Sequence, residues 1–280
     1  MILPAMVEST QDAHRSAGVA APTQRRPRWA MARSLAALML REMTTTYGRS
    51  LGGYIWAILE PVAGLALITF ILSIVFTAPP IGTSFALFYA SGFLAFMLYL
   101  NVSTKVSQTI RYSKALLFYP RVRYIDALVA RFALNMITEM VVAALVLGAI
   151  LSVLVDQVHL DVTAFVLAIA MGGALALGIG TLNCYLMARF DLWERAWGIF
   201  SRPLFIVSSI FFLYETVPHP WRDALWWNPL VHVIGQMRRA LYPTYEGQFV
   251  SPAYVFGIAL ACMALGLAAL NRSYRDLINN

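Results

Sequence analysis

Chemistry inside a membrane needs a nucleophile beside a base, paired carboxylates, or histidines and carboxylates clustered on facing helices. The chain has four histidines, His14, His159, His219 and His232, and none lies in a stretch able to span a bilayer. His219, Asp223 and His232 could together hold a metal. Single histidines beside Trp and Pro are more often interfacial structure, so no metal site and no catalytic residue are assigned. Cys184 and Cys262 fall inside apolar stretches, which suits neither a disulfide nor a metal centre. Ionisable residues in or bordering apolar stretches are Glu60, Glu139 and Arg202. Such groups are functional by default in a membrane. Either carboxylate could pair with Arg202 or Lys105, whether to hold helices together or to serve a path.

The elements that must position these groups are long apolar helices. Of the 280 residues 60% are hydrophobic and 12% charged, about half the charge a soluble domain carries. Each crossing needs about 20 apolar residues. Candidates are 54–76, 85–105, 132–155, 162–188, a short 199–213 and 253–270. A further apolar stretch, 224–242, is broken by Pro229 and carries Arg238 and Arg239. It reads as re-entrant or interfacial helices anchored by Trp221, Trp226 and Trp227. Along 28–47, Trp29, Ala32, Ala36, Met39 and Met43 share one helical face while Arg33 and Arg41 point elsewhere. That pattern is a basic amphipathic helix lying in the membrane surface. The expected fold is an all-α polytopic membrane protein with six transmembrane helices. Residues 1–27 form a partly disordered tail, and 28–280 form the membrane domain.

Charge orients it. Eighteen of the 21 basic residues lie before the first span, between the second and third, around the fourth-to-fifth connection or at the C-terminus. Loops 77–84 and 156–161 carry none. Basic loops stay inside, so both termini are expected to be cytoplasmic. The net charge of +7 is explained in this way and implies no nucleic-acid partner. In the fourth span, Gly172, Ala176, Gly180 and Cys184 recur every four residues, a small-residue stripe for close helix approach within the chain or between two copies.

No phosphate-cradling Gly-x-x-x-x-Gly-Lys-Ser/Thr sequence occurs. If the chain moves anything with ATP, the ATPase is another polypeptide. On the cytoplasmic side, Tyr112–Ser113–Lys114 lead into Ala115, Leu116, Leu117, Phe118, Tyr119, Pro120, Arg121 and Val122. A solvated loop needs no such apolar run; a short helix seated in a partner's groove does.

Three segments together carry a resemblance. They are 41–61 (R-E-M-T-T-T-Y-G-R-S-L-G-G-Y-I-W-A-I-L-E-P), 115–122 (A-L-L-F-Y-P-R-V) and 227–242 (W-N-P-L-V-H-V-I-G-Q-M-R-R-A-L-Y). In this order and topology they resemble the permeases of capsular-polysaccharide exporters in the ABC transporter superfamily. Gln236 departs from the acidic residue often found there. The resemblance implies six spans and a homodimer in the bacterial inner membrane. It implies ATP and Mg bound on a separate ATP-binding cassette subunit, with no cofactor on this chain. It implies a periplasmic co-polymerase, an outer-membrane export channel and a lipid-linked polysaccharide. The segment 115–122, with Arg33 and Arg41, would then couple to the ATPase. Arg49, Tyr54, Trp56, Glu60, Tyr89, Tyr99, Arg202 and Tyr214 are candidates for the path, because Tyr and Trp stack on sugar faces and Arg attracts a phosphate or anionic sugar. The alternatives are a permease for O-antigen or teichoic acid and, on a different principle, a membrane enzyme.

Overall fold

The structure is a computed structural model; it describes residues 37–40, 42–43, 53–117, 123–154 and 160–279, with the backbone alone for Tyr54, Ala57, 115–117, Leu154 and 274–279. All belong to one unit, Ser34–Asn280. Of the amphipathic stretch 28–47, helical backbone is described at 37–40 and 42–43. Its remainder, Arg33 and Arg41 included, lies outside the described residues, as do Arg49 and 118–122.

Among the described residues, nine α-helices follow. They are α1 (Gly53–Val75), α2 (Phe85–Ser107), α3 (Thr109–Leu117), α4 (Tyr124–Leu154) and α5 (Val162–Arg189). After them come α6 (Trp193–Val207), α7 (Trp221–Trp226), α8 (Pro229–Leu241) and α9 (Pro252–Asn279). No strand occurs among the described residues. Among the described residues five helices, α1, α2, α4, α5 and α9, are long and apolar enough to cross a membrane, where a helix satisfies all its own backbone groups. Ser84 caps α2 by accepting from the Leu87 N–H, and Asp161 caps α5 by accepting from the Ala164 N–H.

Three segments gain detail. The stretch 199–213 is not one continuous helix: α6, whose 15 residues reach about 22 Å of the roughly 30 Å apolar core, covers its first part. Residues 208–213 leave the helix, for a reason that lies in α8. Between the second and third spans, α3 follows α2 almost directly, and α4 begins at Tyr124. Finally, of the two readings of 224–242 the buried α8 fits the re-entrant one rather than the interfacial one. Leu230 to Leu241 are buried apart from Arg239, and α8 runs antiparallel to α5 with the Asp161 N–H donating to Ala240 O at 2.9 Å. Trp221 and Trp227 do stand exposed, as anchors should, whereas Trp226 packs on His232 and Tyr254.

The core centres on α2 and α5. Phe88, Tyr89, Phe96, Leu98 and Val102 of α2 are almost wholly buried, and α5 sits between α2 and α9. The small-residue stripe makes this possible within one chain. A Cβ on Gly172 would meet Leu98 at 3.2 Å, and one on Gly180 would meet Val106 at 2.9 Å. On the opposite side, a Cβ on Gly178 would overlap the Ala259 carbonyl, and one on Gly266 of α9 would lie 2.7 Å from Leu182 N. By contrast α1 is an edge, with Ile55, Trp56, Leu67, Phe70 and Ile74 exposed. No residue of α6 is buried.

Replacing Gly178 or Gly266 by Val is expected to force α5 and α9 apart at a cost of roughly 1–3 kcal/mol each. Gly148→Ala, which meets nothing within 4 Å, is expected to be neutral. Thermal unfolding midpoints of the detergent-solubilised proteins check this; equal midpoints for all three variants would contradict the close packing.

Candidate functional site

At the basic end, one guanidinium joins several segments. Arg131, in the third turn of α4, is almost fully buried. Its Nη2 donates to Glu42 Oε1 at 2.6 Å and its Nη1 to Lys105 O at 3.2 Å, while Cζ lies 4.7 Å from the Tyr112 ring centroid. Lys105 O belongs to the last turn of α2, where carbonyls lack intrahelical donors and the helix dipole favours a cation. Glu42 brings the negative charge that a buried guanidinium needs. The 37–43 segment, α2, α3 and α4 therefore meet on Arg131.

The other side of α3 is tied to α6. Arg111 donates to the Glu194 carboxylate, which stands in the first turn of α6, where the helix dipole favours an acid. Next to it, Trp193 Nε1 donates to Asn183 Oδ1 of α5 at 2.9 Å. Helix α3 is thus connected on both flanks and ends at Leu117, inside the apolar run singled out as a docking element. Backbone at 115–117 continues α3; the side chains from Ala115 to Val122 lie outside the described residues. No nucleophile–base arrangement occurs in this set. It can carry a displacement of α3 into α4 and α6.

The other candidates are dispersed. Trp56 and Glu60 are exposed on α1, and Arg202 is exposed on α6. Tyr89 and Tyr99 are buried in α2, and Tyr214 stacks on Phe249 at 4.1 Å. The Tyr54 side chain is outside the described residues. Glu139 accepts from Asn101 Nδ2 at 2.8 Å, with Glu60 and Lys105 as charged neighbours. Among the described residues no three His, Cys, Asp or Glu side chains gather for a metal. His232 is bonded on both ring nitrogens: Nδ1 accepts from the Ser251 N–H at 3.1 Å, which leaves Nε2 to donate to Trp226 O at 2.8 Å. His219 instead contacts Asp223 and Arg222 within one exposed helical turn.

Residue-type reasoning passed over Arg238. It is fully buried and has carbonyls for partners: Ser209 O at 2.7 Å, Ile210 O at 3.0 Å and Phe212 O at 2.9 Å. Its Cζ lies 4.4 Å from the Phe88 ring centroid. These carbonyls belong to the segment that leaves the helix after α6, in which Ser209 has a φ of 59°. The signal was present in the spacing. Val231, Ile234, Arg238 and Leu241 recur at helical intervals, which puts Arg238 on the inward stripe. Likewise Arg131 was counted only as an orienting charge.

Comparison with known proteins places this arrangement. The family model for the ABC-2 type transporter membrane protein matches residues 33–242. The polysialic acid transport protein KpsM of Escherichia coli is 31% identical over 238 residues, covering 84% of this chain and 91% of that protein. The capsule polysaccharide export inner-membrane protein BexB of Haemophilus influenzae is 27% identical over 241 residues, 84% of this chain and 89% of its own. CtrC of Neisseria meningitidis serogroup A, a capsule polysaccharide export inner-membrane protein, is 24% identical over 241 residues, 86% and 91%.

Arg238→Met would leave three buried carbonyls without donors, each worth roughly 1–3 kcal/mol. The purified variant is expected to unfold at a markedly lower temperature than the parent, with Arg238→Lys, which keeps a donor, in between. An unchanged midpoint for Arg238→Met would show that these bonds do not hold the segment.

Proposed function

The chain belongs to the ABC-2 type transporter membrane-protein family, and on that premise we propose that it is the permease subunit of an ATP-driven exporter of lipid-linked capsular polysaccharide. The observation that carries this reading is the match to KpsM, a polysialic acid transport protein, over most of both chains. BexB and CtrC, named for capsule polysaccharide export, support it. ATP and Mg act on a separate ATPase subunit, the partner that membership of this permease family implies. The periplasmic co-polymerase and outer-membrane channel are further partners of the assembly.

In this reading the basic end faces the cytoplasm of a bacterial inner membrane, with both termini on that side. Two copies pair through the faces that one chain leaves uncovered, α1 and α6. Exposed Trp56, Glu60 and Arg202 stand on those helices, so the polymer passes between copies. Closure of the ATPase pushes on α3 and on 115–122, and on the segment carrying Arg33 and Arg41. Arg131 and Arg111 pass that displacement to α4 and α6.

Cysteine accessibility tests the orientation. Gly82 is unsuitable as a reporter because its φ is +74° and a Cβ would lie 2.6 Å from the Tyr242 ring. Neighbouring Thr83 is exposed, as is Arg123 at the basic end. An impermeant thiol reagent added to spheroplasts should label Thr83→Cys and spare Arg123→Cys; the reverse pattern would invert the topology.

Coupling is tested by Leu117→Glu together with Phe118→Glu. The doubly substituted permease should reach the membrane at normal levels, lose co-purification with the ATPase and export no surface polysaccharide. Normal co-purification and export would remove the docking role of 115–122.

A further inference from the structure

At the end of the bundle opposite Arg131, the 243–250 connection separates two recesses. One, of about 850 Å³, lies between this connection, α8 and the start of α5; Asp161, Arg239, Tyr245, Glu246 and Gln248 line it. The other, of about 500 Å³, shares Tyr245, Glu246 and Gln248 and adds Tyr214, Glu215 and Phe249. Polar side chains are concentrated here, as they are at the basic end. Asp161, Arg239, Glu246 and Gln248 are all exposed.

Their arrangement is fixed from below. Gly247, at φ of +52°, closes over the Arg239 stem; a Cβ there would meet Arg239 Cγ and Cδ at 3.2 Å. Arg239 Nη1 donates to the neutral amide oxygen of Gln236 at 3.3 Å, so the guanidinium keeps donors for a further partner. Gln248 Nε2 donates to Glu246 Oε2 at 2.7 Å, presenting an amide and a carboxylate side by side. Tyr245 donates to Glu215 Oε2 at 3.2 Å. Burial first, and the Glu215 carboxylate second, push its phenol above the ordinary value, which keeps it a donor. The stacked Tyr214 and Phe249 rings supply an aromatic flank.

Saccharides carry vicinal hydroxyls that each donate and accept. Planar carboxylate, amide and guanidinium groups match them in pairs, and aromatic faces take their C–H surfaces. A recess of this size accommodates a few sugar units. The two carboxylates, Asp161 and Glu246, outnumber the one guanidinium, so the set disfavours an anionic sugar. We propose that the Arg239–Gln248 recess is a weak binding subsite for neutral, hydroxyl-rich saccharide units. It rests on the export reading and adds to it a place where the glycan touches the end of the permease away from the ATPase.

Saturation-transfer NMR on the purified full-length permease tests this, with maltohexaose as the neutral probe and an α2,8-linked sialic acid hexamer as the acidic one. Maltohexaose should bind in preference to the acidic hexamer. Arg239→Ala with Gln248→Ala should weaken it about tenfold, the loss of one charge-assisted hydrogen bond. Arg239→Lys, which keeps the charge without the fork, should weaken it less. Val166→Ala, on the far side of α5, should bind as the parent does, and unfolding midpoints measured alongside show that the variants are folded. Failure of maltohexaose to bind, equal affinity in the double variant, or preference for the acidic hexamer would overturn the proposal. Surface polysaccharide in cells carrying the unmodified chain tests the export reading separately. Intact export with unchanged binding in the double variant removes the subsite alone.

Discussion

Much of this architecture depends on the three hydrogen bonds from Arg238 to the carbonyls of Ser209, Ile210 and Phe212. Buried backbone that leaves a helix must find donors, and in a bilayer water does not supply them. A guanidinium has five N–H groups in a fixed fork, enough to serve several carbonyls from one side chain. That is why α6 can stop at Val207 and the chain can turn inside the protein. It also explains why α8 is drawn into the bundle: a helix that delivers Arg238 to that turn must pack beside α2 and α5. Phe88 completes the site by giving the cation an aromatic face.

The second constraint is close approach without side chains. Helix α5 touches α2 through Gly172 and Gly180 and α9 through Gly178, and apolar lipid gives helices little hydrophobic reason to associate. Backbone proximity replaces that drive with dispersion contacts. The consequence is an uneven molecule, with a dense α2–α5–α8–α9 body and two helices, α1 and α6, that offer apolar surface outward. Arg111 and Trp193 attach α6 at its base, and Phe205 packs edge-on against Phe93 and Phe96 of α2 near its far end.

At the basic end the same economy appears with opposite chemistry. Arg131 is a buried cation held by one carboxylate, one helix-end carbonyl and one aromatic ring. A single rigid side chain that touches the 37–43 segment, α2, α3 and α4 makes them move together. The two buried arginines thus stand at opposite ends of the bundle. One links the segments around α3, and the other fixes the turn between α6 and α8.

Hydrophobic runs, proline positions and the placement of basic residues are local or additive properties, and so they were legible. The five long helices, the break at Pro229 and the small-residue stripe all follow from them. The resemblance of 41–61, 115–122 and 227–242 to capsule export permeases also rests on residues in order along the chain. What the sequence could not decide was partnership across the fold. Arg131 and Arg238 look like any other basic residues until Glu42, Lys105 O and the 209–212 carbonyls are brought to them. An apolar stretch such as 199–213 counts as a span by hydropathy. Whether it stays helical depends on a guanidinium 26 to 29 residues away, and only tertiary structure brings that donor to those carbonyls.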